Sequence, residues 1–180
     1  MNTTEQFDVV VVGGGPAGAT AATDLANAGK RVLLLDRAGR IKPCGGAIPP
    51  RLIKDFLIPD ELLVARARSA RMISAADAKV DIPIDNGFVG MVDREHFDEW
   101  LRDRAAQAGA ERRTGSYDKL TRDADGTAIV NYQVRGESGE MLAMQVRARA
   151  VIGADGARSG VARDAVPGAK NVECVFAYHE

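Results

Sequence analysis

The chain has 180 residues, 46% of them hydrophobic and 27% charged, with a formal net charge of −1. Acidic and basic residues are mixed along it, which excludes a basic nucleic-acid surface, and no apolar run reaches the length of a membrane span. Cys44 and Cys174 lie far apart without metal-ligand spacing, so free thiols in a reducing cytoplasm, and no metal site, are expected.

Residues 1–6 are short and polar, resembling neither a signal nor a transit peptide. Phe7 to Val12 then reads as a buried strand running into Gly13-Gly14-Gly15-Pro16-Ala17-Gly18, with glycines spaced G-x-G-x-x-G. A helix opens at Pro16, and a second buried run, Val32 to Leu35, ends on Asp36. That order is a dinucleotide-binding βαβ unit. Gly13 permits the tight turn, Gly15 lets backbone approach a pyrophosphate, and Gly18 allows close helix–sheet packing. The first helical turn, from Pro16 and Ala17, aims unpaired N–H groups at the phosphates. Asp36, 18 residues beyond Gly18, can accept bonds from ribose hydroxyls and would repel a 2′-phosphate. The pocket therefore suits FAD or NAD and not NADP.

A Gly-, Pro- and basic-rich loop follows from Arg37 to Arg51, with helical turns expected at 52–56 and 60–64. Strands are expected at 70–74, 79–84 and 88–92, the middle one near an edge because it contains Pro83. Asp93 is a natural N-cap for an amphipathic helix whose buried face is Phe97, Trp100, Leu101, Ala105 and Ala108, stopped by Gly109. Residues 127–135 and 141–148 read as antiparallel strands around the turn 136–139, 150–156 as another buried strand, and 172–178 as a last one. The chain stops two residues later and reads as the N-terminal part of a longer protein.

Three further segments carry chemistry. Gly153-Ala154-Asp155-Gly156 alone is an ordinary strand-to-turn sequence. Placed well over a hundred residues after the glycine turn, it resembles the Ala-Asp-Gly motif of flavoproteins with the p-hydroxybenzoate hydroxylase fold, which implies FAD contact by Asp155 and Gly156. Lys42-Pro43-Cys44-Gly45-Gly46-Ala47-Ile48-Pro49 resembles the signature of geranylgeranyl reductases, in the form used by their chlorophyll and bacteriochlorophyll branch. Gly45 and Gly46 would let backbone approach a flat ring, Lys42 would lie near anionic cofactor atoms, Cys44 could lie against a flavin, and Arg37 is a further cofactor-binding candidate. Arg94-x-x-Phe97-Asp98-x-x-Leu101 is similar to the family junction whose arginine contacts FAD.

The resemblance covers nearly the whole chain. It implies an α/β fold in which a Rossmann-type FAD-binding unit (residues 7–50, 93–118 and 149–165) is interleaved with an antiparallel sheet of a second, incomplete substrate domain (66–92 and 171–180). It also implies an NADPH-dependent flavoprotein that saturates a geranylgeranyl group to phytyl. The substrate would be geranylgeranyl diphosphate or geranylgeranylated (bacterio)chlorophyll. A cytoplasmic protein with peripheral contact to the photosynthetic membrane fits such a lipid-tailed substrate. Isolated alkenes need a proton delivered as hydride arrives, and Cys44 is the candidate catalytic residue for that role. The rivals are an FAD-dependent aromatic hydroxylase of the same fold, a non-catalytic flavin-binding module, and a plain NAD-dependent dehydrogenase, which the Ala154-Asp155-Gly156 segment does not support.

Overall fold

The computed structural model of the protein describes residues 4–37, 44–85, 87–173 and 175. In chain order the elements are β1 (Gln6–Val12), α1 (Pro16–Asn27), β2 (Val32–Asp36), β3 (Ala47–Ile48), α2 (Pro50–Asp55), a 3-10 turn (Asp60–Leu62), β4 (Leu63–Ala67), β5 (Ser69–Ile73) and β6 (Lys79–Pro83). Then come β7 (Val89–Val92), α3 (Arg94–Gln107), β8 (Glu111–Thr114), β9 (Ser116–Arg122), β10 (Ala128–Arg135), β11 (Met141–Gly153), α4 (Gly160–Ala165) and a second 3-10 turn (Ala169–Asn171). Two compact units result, residues 1–39 with 101–180, and residues 40–100.

The first unit is built on a six-stranded mixed sheet in the order β8-β2-β1-β11-β10-β9. β1 pairs in parallel with β2 and β11, whereas β11, β10 and β9 are antiparallel. Central position explains the composition of β1 and β2: Val9 to Val12 and Val32 to Leu35 are all buried, as strands covered on both faces must be. One face packs Val10, Val12, Leu33 and Leu35 with Val130, Tyr132, Val146 and Val161. Buried Ala19 and Ala22 supply small, close-packing surface on α1.

The second unit holds a three-stranded sheet, β3-β7-β4, and the separate hairpin β5–β6. All ten residues of that hairpin are exposed, and Arg71 makes a two-bond pair with Asp81 across it. Asp93 caps α3 as expected, its side chain accepting from Glu95 N–H at 3.0 Å. Phe97, Leu101 and Ala105 are buried, while Trp100 and Ala108 are only partly so.

Several sequence expectations need correcting. The runs 141–148 and 150–156 are one strand, β11, which ends at Gly153; Arg147 and Arg149 interrupt its apolar pattern, but the partners β1 and β10 hold it extended. The helical turn expected over 60–64 gives way to β4 at Leu63, because Leu63 to Ala67 pair with β7. β3 lay inside an expected loop. β8 and β9, charged edge strands without apolar alternation, were not foreseen. In the expected strand 172–178, Val172, Glu173 and Val175 are not in a strand, and the other positions lie outside the described residues. No helix among the described residues is long and apolar enough to cross a membrane.

Candidate functional site

The glycine turn joins β1 to α1, and its glycines do different things. Gly13 has φ +105°, and an added Cβ would meet the Ala154 carbonyl oxygen at 2.4 Å. Gly18 is tighter still: a Cβ there would stand 1.8 Å from Gly13 O, so only a bare Cα lets α1 start this close to the strand. Gly15 is the reverse case. It is the N-cap of α1 with φ −73°, and nothing lies within 4 Å of where its Cβ would point. That open face adjoins the first helical turn, which carries Pro16 at its start and no acidic side chain. The first helical bond runs from Ala19 N to Gly15 O at 2.9 Å, so helix geometry leaves the Ala17 and Gly18 N–H groups without intrahelical partners. The arrangement fits a diphosphate.

Asp36, at the end of β2, stands beside this turn. A Cβ on Gly14 would come within 2.9 Å of both Asp36 Cβ and Oδ2. Arg102 of α3, which the sequence reading did not single out, donates from Nη1 to Gly14 O at 3.2 Å and lies 3.4 Å from Asp36 Oδ2. The signal was present in the spacing: Arg102 follows Asp98 by four residues and Arg94 by eight, on one helical stripe. Arg37 is exposed at the next position, and Lys42 lies outside the described residues.

The Asp155 carboxylate turns toward α4. It accepts from the Ser159 hydroxyl and from Gly160 N at 2.6 Å, while Ser159 Oγ accepts from Ala162 N at 2.9 Å as N-cap. Gly156, at φ +89°, makes the turn between β11 and this helix. Asp155 therefore braces the segment whose Ala154 carbonyl lies against Gly13 and whose Ala154 N–H donates to Val12 O at 2.8 Å.

In the second unit, Arg94 forms a fork with Asp98, donating from Nε and Nη2 at 2.8 Å each. The Asp98 bond chiefly holds the guanidinium above its usual range, and the neighbouring Cys44 adds to it. Cys44 itself is exposed. Gly45 has open space where a Cβ would be, but at Gly46 (φ +69°) that position is 2.0 Å from Val92 O. The bare Cα of Gly46 thus serves packing against β7, fixed by the bond from Val92 N to Gly46 O at 2.9 Å.

Fold and turn together define a Rossmann-type dinucleotide-binding oxidoreductase architecture. Residues 7–180 match the family described as pyridine nucleotide-disulphide oxidoreductase, and the chain belongs to it. Within it the kinship is with geranylgeranyl reductases, which bears out the motif reading. The chain is 62% identical to geranylgeranyl diphosphate reductase of Rhodobacter capsulatus, over 97% of its own length and 43% of that protein. It is 39% identical to digeranylgeranylglycerophospholipid reductase 2 of Methanopyrus kandleri, over 97% of this chain and 44% of the relative. Among solved structures, a geranylgeranyl bacteriochlorophyll reductase-like protein of Thermoplasma acidophilum superposes with a TM-score of 0.78 at 25% identity, covering 97% of this chain and 44% of that one. The chain spans less than half the length of these relatives.

Proposed function

We propose that the chain forms the FAD-binding part of an NADPH-dependent geranylgeranyl reductase, which saturates C=C bonds of a geranylgeranyl group to give phytyl in (bacterio)chlorophyll synthesis. The observation that carries the cofactor reading is the open face of Gly15 at the start of α1, with Asp36 alongside the same turn. Gly13, Gly15, Pro16, Ala17 and Gly18 would hold the diphosphate, and Asp36 the adenosine ribose. Cys44, Gly45, Gly46, Arg94 and, from the motif, Lys42 would serve the flavin, with Asp155 and Gly156 ordering the loop after β11. The strands within residues 66–92 would begin the substrate domain.

FAD, when bound and reduced by NADPH, supplies hydride to the alkene. A trisubstituted alkene has no carbonyl to absorb charge, so the neighbouring carbon must gain a proton in nearly the same step. Cys44 is the proposed source or relay of that proton. Arg94, locked by Asp98, would provide a fixed positive charge near that thiol.

The test is anaerobic turnover by the whole protein. Purified with a flavin absorption spectrum and supplied with NADPH, it should add a pair of hydrogens per reduced bond to geranylgeranyl diphosphate or to the esterified pigment, the two substrates being separate arms. A colourless protein that takes up no FAD would overturn the cofactor reading. Oxygen-dependent NADPH consumption with a phenol, and no prenyl reduction, would favour the hydroxylase.

A further inference from the structure

Three stretches distant in sequence meet at one guanidinium in the first unit: the glycine turn, the end of β2 and the second half of α3. Arg102 Nη1 donates to Gly14 O at 3.2 Å and approaches Asp36 Oδ2 at 3.4 Å. Its Cδ lies where a Cβ on Gly14 would come within 3.0 Å. The Arg102 and Asp36 side chains are 20% and 31% exposed, so solvent screens the pair only in part.

This placement answers an electrostatic difficulty. An acid that grips a ribose hydroxyl must sit close to the diphosphate of the same molecule, and the two like charges repel. A cation bonded to both the turn and the acid offsets that repulsion. It also fixes Gly14, in the turn that leads into the helix start where the Ala17 and Gly18 N–H groups lack intrahelical partners. The contact engages Oδ2, and Asp36 Oδ1 accepts no hydrogen bond among the described residues, which leaves it for a ribose hydroxyl.

We infer that Arg102 is a positioning residue for the adenosine diphosphate half of the cofactor, holding Asp36 for the ribose and neutralising it against the diphosphate. The inference rests on the FAD reading above. It assigns Arg102 no part in the chemistry at the flavin.

The whole protein, stripped of flavin, is titrated with FAD and with ADP, which has the ribose and diphosphate but no flavin. Arg102→Ala should weaken both ligands by about tenfold, equivalent to about 1.4 kcal/mol, and leave the Tm of the stripped protein within a few degrees. Arg102→Lys should recover part of the loss. Combining Arg102→Ala with Asp36→Asn should cost less than the sum of the two, because a neutral side chain needs no neutralising. Should Arg102→Ala not fold, Arg102→Gln removes the charge, keeps much of the stem and is read in the same way. Asp36→Asn weakening FAD while Arg102→Ala and Arg102→Gln do not would overturn the inference alone. So would strict additivity together with a fall in ligand-free Tm, the mark of a simple brace. Unchanged FAD affinity in Asp36→Asn would overturn the cofactor reading and this inference with it.

Discussion

Arg94 and Asp98, one turn apart in α3, meet fork to fork with both bonds at 2.8 Å and side chains only 13% and 11% exposed. Removing one partner strands a sheltered charge, which costs more than the pair contributes. Asp98→Asn is therefore expected to lower unfolding stability by about 1.5–3 kcal/mol, read from urea midpoints. Replacing both, as Arg94→Met with Asp98→Leu, should restore much of that loss. A double variant as unstable as the single one would show that the pair itself stabilises the fold.

Gly18 and Gly15 should separate folding from binding. Gly18→Ala puts a methyl group 1.8 Å from backbone that cannot rotate away, so α1 must shift, at a cost of about 1–3 kcal/mol or more. Gly15→Ala meets nothing within 4 Å and has an ordinary φ of −73°, so its Tm should stay near wild type. Its methyl group would instead stand on the open face proposed for the diphosphate and weaken FAD by about tenfold or more. Equal FAD affinity in Gly15→Ala and wild type would remove the phosphates from that face.

The proposed role of Cys44 is exposed by splitting the reaction into halves. In Cys44→Ala with full FAD content, NADPH should still reduce the flavin at close to the normal rate, while alkene reduction slows by about 100-fold, the scale of a lost general acid. Stopped-flow absorbance follows the first half and product analysis the second. Undiminished alkene reduction would reassign the proton donor.

Acid should destabilise the protein through a few named carboxylates. Asp164 is held below its usual range, chiefly by the Tyr117 hydroxyl at 2.6 Å. Glu5 is held down chiefly by the Arg113 bond, and Asp81 by Arg71. In the unfolded chain these groups take protons near pH 4, before the folded protein does. Their contribution is thus complete above about pH 5 and lost as the pH falls through the lowered folded values. Burial, then Asp164, pushes Tyr117 up, so its contribution is present below about pH 10 and lost above it. Tyr117→Phe should flatten both limbs of a stability-against-pH curve measured by urea unfolding; an unchanged acid limb would mean Asp164 is not held down by this bond.

How far the sequence reached follows from where burial left a pattern. β1, β2 and the glycine turn were legible because a strand covered on both faces admits only apolar residues, and because Gly13 and Gly18 sit where any Cβ would strike backbone. The stripe of Phe97, Leu101 and Ala105 was legible for the same reason. β8 and β9 carry charges because edge strands tolerate them, and so left no apolar signature.

The order of residues alone determined the βαβ unit, its acid at Asp36 and the kinship carried by Lys42 to Pro49, since these depend on local spacing and residue type. Only tertiary structure decided that Arg102 joins Gly14 to Asp36, that the Asp155 carboxylate turns to the start of α4, and that Gly46 is bare for Val92. Such contacts link positions far apart along the chain or turn on where one side chain points. They come into being when helices dock on sheets, and no local periodicity records them.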